Sequence, residues 1–175
     1  MPTTVGNIIA ASCSAGMLLA ERLLQDVNAT DFARLARPGG HVVNANHAAF
    51  VFGHLSLYAP RIVEQLGGPV ASIRPPTEFG PLFAKDSTCR DDPHGTIYPG
   101  KDAILDVFFR GYRTAIDTLR QTDDVPFSAP NPAAGPQRDV FPTMGAMLAF
   151  YAGGHLMNHL GQLSTWRRMM GLGPA

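Results

Sequence analysis

The sequence predicts an all-α protein built as a four-helix bundle, and three observations favour this fold class. Four long segments repeat apolar residues every three or four positions, which is the spacing of one helix face. The alternation of β-branched and polar residues that is typical of strands is nearly absent. Eleven of the 15 prolines fall in two stretches, 67–99 and 125–142, which we therefore expect to be connections.

The four predicted helices follow one another with clear ends. The first covers residues 5–27, and the second covers 44–66 and stops at a Gly-Gly-Pro sequence. The third opens after a Pro-Gly pair and covers 101–121. The fourth covers 142–170, with Thr143 as its N-cap. The whole chain, 1–175, is expected to be one domain.

The connection between the second and third helices is long enough to run the length of a bundle. A crossover there would give an up-down-down-up topology, whereas a hairpin would place the two helices antiparallel. Both connections remain open at this point.

The balance of charge excludes several classes of protein. The chain carries 14 Lys and Arg against 14 Asp and Glu, so no net positive field attracts phosphates and nucleic acid is not an expected partner. Cys13 and Cys89 are too few for a disulfide framework, which favours a reducing compartment such as the cytoplasm. The low charge also leads us to expect a homodimer.

The first 20 residues carry no charged side chain, so a membrane or export segment has to be considered. A secretory signal begins with basic residues, and none precedes this apolar run. Asn7, Ser12 and Ser14 interrupt it, whereas a spanning helix needs about 20 apolar residues. The sequence therefore predicts a buried first helix and no membrane partner.

Three histidines form a candidate metal site. His155 and His159 are four residues apart on the fourth helix, so both imidazoles lie on one face and can reach the same ion. His54 lies on an otherwise apolar face of the second helix, which should point towards the same core. Leu156 stands where a zinc protease would have its glutamate, which excludes that class. The alternative is that these histidines only pack in the core.

Three stretches of the chain resemble the DinB-like superfamily of metalloenzymes. They are 155–171 (HLMNHLGQLSTWRRMMG), 46–55 (NHAAFVFGHL) and 90–105 (RDDPHGTIYPGKDAIL). The resemblance implies an up-down-down-up four-helix bundle whose metal ligands are the three histidines named above. It also implies thiol-dependent transfer or isomerisation, with a low-molecular-weight thiol as co-substrate. Leu160 departs from the pattern, because an Arg often follows the second histidine of the pair.

Further side chains are candidates for positions around the metal or in a pocket beside it: His47, Phe50, Tyr58, Tyr151 and Gln162. His47 shares roughly one helix face with His54, although simple packing is an alternative. Gln162 can hydrogen-bond a ligand or a metal-bound water, or it can cap the bundle interior. The two tyrosines can offer hydroxyls at the mouth of the site, or they can pack as aromatic rings.

These observations predict a metal-dependent enzyme that acts on a small molecule. Three neutral imidazoles leave the ion its full double charge, which can activate a thiol or a water in an open position. We expect zinc or nickel, with iron or manganese as the other candidates. Thiol transferase or isomerase chemistry is the first hypothesis and a metal-dependent hydrolase the second. The third is a non-catalytic, stress-related bundle that a metal stabilises.

Overall fold

The secondary structure is helical, with no strand among residues 3–175, which are the residues that this computed structural model describes. The all-α class that the sequence predicts is confirmed. The first helix, α1, is Val5–Leu23. It begins at Thr4, whose hydroxyl accepts a hydrogen bond from the backbone N–H of Asn7 at 3.2 Å and so satisfies one of the free donors of the first turn.

Helix α1 ends four residues before the predicted end at residue 27. Asp26 adopts a left-handed conformation with φ 62°, which an α-helix cannot continue through. The guanidinium of the buried Arg167 donates hydrogen bonds to the backbone oxygens of Leu23 and Gln25. These bonds satisfy carbonyl groups that the end of the helix leaves free, because helical N–H groups no longer reach them.

The second predicted helix, 44–66, is two helices in the structure: α2 is Ala48–Ser56 and α3 is Ala59–Gln65. The prediction of one continuous helix is therefore wrong. Pro60 explains the break, because proline has no N–H with which to bond the carbonyl of Ser56 four residues earlier. The proline also disfavours helical geometry at the residue before it.

The long connection that follows contains one short helix, α4, at Phe79–Phe83. Helix α5, Lys101–Gln121, matches the third predicted helix closely. The second proline-rich stretch was expected to be only a connection, but it holds the short helices α6, Val125–Ser128, and α7, Pro136–Val140. A proline occupies the first or second position of each, where its fixed φ suits a helix start.

The fourth predicted helix, 142–170, consists of three consecutive segments. Helix α8 is Met144–Ala149, a π-helical turn follows at Phe150–His155, and helix α9 is Leu156–Met169. Thr143 caps α8 as predicted, since its hydroxyl accepts a hydrogen bond from the N–H of Ala146 at 3.2 Å. The sequence analysis did not predict the π-helical turn.

The π-helical turn lies against α1, and small residues make this approach possible. A Cβ atom added to Gly153 would lie 3.0 Å from Oγ of Ser12 on α1. Such turns are rare and often occur at functional sites. Here the turn ends at His155, one of the three histidines of the candidate metal site.

The long helices enclose a single apolar core. Helix α1 packs against α5 and α9, and α2 packs against the same two helices. Aromatic side chains fill much of the space between them; the largest that are fully buried are Trp166, Tyr112, Phe32, Phe52, Phe79, Phe83 and Phe108. Among the described residues, no helix has the combination of length and apolar character needed to cross a bilayer.

Asp91 ties the long connection to the segment that follows α1. Its carboxylate accepts hydrogen bonds from Arg34 at 2.9 Å, from Arg37 at 2.9 Å and from the N–H of Leu35 at 2.8 Å. The hydrogen bond from the Arg34 guanidinium is the main cause that lowers the pKa of Asp91 to about 2. The ionised form is therefore the one that stabilises the folded protein.

We expect Asp91→Asn to lower the free energy of unfolding by about 1 to 2 kcal/mol at pH 7. An unpaired aspartate has a pKa of about 3.9, so this stabilisation is complete above about pH 4 and is lost as the pH falls towards 2. Urea denaturation between pH 2 and 7 measures the effect. Asp86→Asn, an exposed residue of the same connection, is the control. Equal pH profiles for the wild type and Asp91→Asn would contradict the prediction.

Candidate metal centre

The structure brings His54, His155 and His159 together from three helical segments. His54 is on α2, His155 ends the π-helical turn, and His159 is one turn further along α9. One nitrogen from each ring lies within 4.8 Å of the other two. Among residues 3–175, no carboxylate or thiol belongs to this group of candidate ligands.

The spacing of the ring nitrogens suits a tetrahedral ion. Nε2 of His54 lies 3.3 Å from Nε2 of His155. Two imidazole nitrogens at this distance need a shared proton or a shared cation between them. A zinc ion with bonds of about 2.0–2.1 Å places neighbouring ligands about 3.3 Å apart in tetrahedral geometry. His54 and His155 therefore fit two ligands of one divalent ion, and His159, whose nitrogen lies within 4.8 Å of theirs, could be the third. A tetrahedral ion held by these three residues would have a fourth position for an external ligand.

Hydrogen bonds fix the orientation of two of the three rings. Nδ1 of His54 lies 2.7 Å from the backbone oxygen of Phe83, which can only accept, so Nδ1 carries the proton and Nε2 keeps its lone pair. Nδ1 of His159 likewise donates to Oε1 of Gln162 at 3.1 Å. Metal-binding histidines commonly donate their second N–H in this way. Nδ1 of His155 is buried and has no protein partner.

Gln162 and Asn46 form a short chain of hydrogen bonds behind His159. The Nδ2 group of Asn46 donates to Oε1 of Gln162 at 3.0 Å, and the same oxygen accepts from His159. Because Oε1 of Gln162 accepts two hydrogen bonds, its position is fixed. The imidazole of His159 is therefore held with Nε2 towards the other histidines. Gln162 therefore has the first of the two roles that its sequence position left open, and the sequence analysis missed Asn46.

A close contact between α2 and α4 supports the ring of His54. A Cβ atom added to Gly53 would lie 2.5 Å from the ring of Phe83, so only glycine allows α4 to come this near. The approach brings the Phe83 carbonyl to Nδ1 of His54. No sequence pattern marks this contact, because it joins residues that are far apart in the chain.

The three histidines are neutral in the metal-free protein at pH 7. Burial is the main cause that lowers the pKa of His155 to about 3, and the charged forms of His159 and His54 lower it further. Burial also lowers the pKa of His159, to about 4, and that of His54. A neutral imidazole is the form that binds a metal, so the site does not have to lose protons at neutral pH.

Aromatic rings surround the histidines and limit the access of water. The ring of Tyr58 is 4.1 Å from that of His155, measured between centroids, and Phe50 stacks on His54 at 6.4 Å. The ring of Tyr151 lies 6.4 Å from His155. Phe50, Tyr58 and Tyr151, which were candidates for positions around the metal, thus each lie beside one of the three histidines.

His47 lies outside this group and has a structural contact at each ring nitrogen. Its Nδ1 accepts a hydrogen bond from the N–H of Phe50, which makes His47 the N-cap of α2 and explains why the helix begins at residue 48 rather than 44. Its Nε2–H donates to the backbone oxygen of Arg90 at 2.9 Å. Both nitrogens are occupied, so the packing alternative describes this histidine.

Two further residues near the histidines are Leu160 and Arg61. Leu160, the residue after the second histidine, is fully buried in the core. Arg61 is next to the site and was missed: its guanidinium lies 4.8 Å above the ring of Tyr58. In the single helix predicted for 44–66, its position seven residues after His54 is two turns along, and this is the signal that could have identified it.

Comparisons with known proteins do not assign this site. Neither the known protein-family models nor the curated proteins give a match to this chain. The geometry of the three histidines is therefore the basis for a function.

Proposed function

We propose that this protein is a metal-dependent enzyme of the DinB-like type, in which His54, His155 and His159 bind one divalent ion. A low-molecular-weight thiol would take the open coordination position, and the reaction would be the transfer or isomerisation of a small molecule. Zinc or nickel is the expected metal. The observation that carries the proposal is the convergence of three ligand nitrogens within 4.8 Å, with no carboxylate among them.

The arrangement of the long helices supports the same proposal. Contacts of α1 and of α2 with both α5 and α9 support a four-helix bundle, and we propose the up-down-down-up topology for it. The connection from residue 66 to Lys101 is long enough for the crossover that this topology requires.

A divalent ion with three neutral ligands keeps its double charge and would lower the pKa of a bound thiol, so that a thiolate exists near neutral pH. The protein contributes the geometry around it. The Phe83 carbonyl and Gln162 hold two imidazoles with their lone pairs directed at one point. Tyr58 and Phe50 cover the rings and lower the local dielectric, which strengthens the attraction between a cation and an anionic ligand.

The set of ligands favours an enzyme over a purely structural metal site. Structural zinc sites usually have four protein ligands, often cysteines. Here Cys89 donates towards the backbone oxygen of Ala45, and burial raises its pKa to about 11. Cys13 is fully buried, and burial raises its pKa to about 12. Neither thiol belongs to the histidine group.

Cobalt(II) substitution followed by thiol titration tests the proposed function. We expect the cobalt-loaded protein to show the visible bands of a tetrahedral site, and 2-mercaptoethanol to add a sulfur-to-cobalt charge-transfer band that saturates at one thiol per chain. His155→Ala should show neither signal. Cobalt bands that no thiol alters, but that change with pH, would favour the hydrolase with a bound water instead. Failure of any external ligand to bind would indicate a structural site.

A further inference from the structure

A single arginine stands at the edge of the histidine site. Arg61 is exposed on α3, and its guanidinium carbon lies 4.8 Å from the centre of the Tyr58 ring. The ring of His155 is also close to Tyr58, at 4.1 Å between ring centres. Tyr58 is thus beside both the cation and a candidate metal ligand.

Arg61 has no acidic partner. Within the described part of the chain, no carboxylate oxygen lies within 4.0 Å of its nitrogens, whereas six of the other surface arginines have such a partner. Those paired through a carboxylate are Arg34, Arg37, Arg74, Arg110, Arg113 and Arg120. Glu64, the nearest acid along the helix, contacts Arg74 at 3.9 Å instead. The positive charge of Arg61 is therefore available to an external anion.

A cavity of about 380 Å³ lies beside Arg61, and Tyr151 also lines it. The hydroxyl of Tyr151 accepts a hydrogen bond from Nε2 of Gln137 at 2.6 Å, which leaves its own proton free for donation. The lining of the cavity thus includes both a cation and an O–H donor. Glu64 is on the same cavity wall, with its carboxylate turned to Arg74.

We propose that this cavity binds the anionic group of the substrate, a carboxylate, with Arg61 as the residue that determines charge specificity. Tyr151 would donate a second hydrogen bond to the same group. A guanidinium suits this role because it presents several N–H donors in one plane to the two carboxylate oxygens. The inference rests on the proposed function, since it places the reacting end of the same molecule at the three histidines.

Two thiols of equal length test the inference: 3-mercaptopropionate, which carries a carboxylate, and 3-mercapto-1-propanol, which is neutral. Both are titrated into the cobalt-loaded full chain while the charge-transfer band is followed. We expect the wild type to bind the anionic thiol about 10-fold more tightly than the neutral one. Arg61→Gln should remove this preference and leave the affinity for the neutral thiol unchanged. Arg61→Lys, which keeps the charge, should retain part of the preference for the anionic thiol.

Arg113→Gln is the matched control, because Arg113 is also an exposed arginine over an aromatic ring, at 5.3 Å from that of Phe109. It should keep the preference of the wild type. Cobalt bands with equal affinities for the two thiols in the wild type would overturn the inference and leave the proposed function standing. A loss of preference in Arg113→Gln as large as in Arg61→Gln would also overturn it. A wild type that binds no cobalt would overturn both.

Discussion

Replacing His155 with alanine is expected to lower the affinity for zinc by more than about 100-fold. The loss of an outer hydrogen-bond partner of a metal ligand already costs about 10- to 100-fold, and the loss of a ligand costs more. His155 is close to both other histidines, since its Nε2 lies 3.3 Å from that of His54 and its ring centre lies 4.6 Å from that of His159. Competition with a chromophoric chelator measures the affinity.

The control for this variant is His94→Ala. His94 is an exposed histidine of the long connection, outside the group of three, so its loss should leave the zinc affinity unchanged. Far-UV circular dichroism shows whether His155→Ala is still folded. A folded His155→Ala protein that binds zinc as tightly as the wild type would contradict the assignment of His155 as a ligand.

The second large effect is expected from Gln162→Leu, which should weaken zinc binding by about 10- to 100-fold. The leucine cannot accept the N–H of His159, so the imidazole would lose the hydrogen bond that now directs its Nε2 towards the site. It would also leave the side-chain amide of Asn46 without its acceptor. The same chelator competition measures the change.

Gln162→Glu separates this role from simple packing. A carboxylate still accepts from His159 and Asn46, so the glutamate variant should bind zinc at least as tightly as the wild type. Gln121→Leu, at an exposed position of α5, controls for the general effect of replacing a glutamine by leucine. Equal losses of zinc affinity in Gln162→Leu and Gln162→Glu would show that the acceptor oxygen at residue 162 does not determine the affinity.

The sequence predicted the parts of the fold that depend on local periodicity. Helix α5 has an apolar stripe on an otherwise polar segment, and both of its ends were found. The break between α2 and α3 was missed because the apolar pattern continues through it, although Pro60 alone removes the hydrogen bond that would join them. The π-helical turn before α9 was missed because nothing in its periodicity distinguishes it from an α-helix.

In the candidate site too, local spacing predicted some residues, whereas contacts between distant parts of the chain could not be predicted. His155 and His159 could be paired from their spacing on one helix, and His54 from its place on an apolar face. The Phe83 carbonyl could not be predicted, because it reaches His54 through a tertiary contact between α2 and α4. Side-chain identity gives no information about such a backbone acceptor.

The proposed function requires one bound divalent ion per chain. Equilibrium dialysis of the purified protein against zinc, followed by elemental analysis, counts the ions bound. We predict one zinc per chain for the wild type and none for the variant in which His54, His155 and His159 are all alanine. Equal zinc contents in the two proteins, or no zinc in the wild type, would contradict the assignment of these histidines as a metal centre.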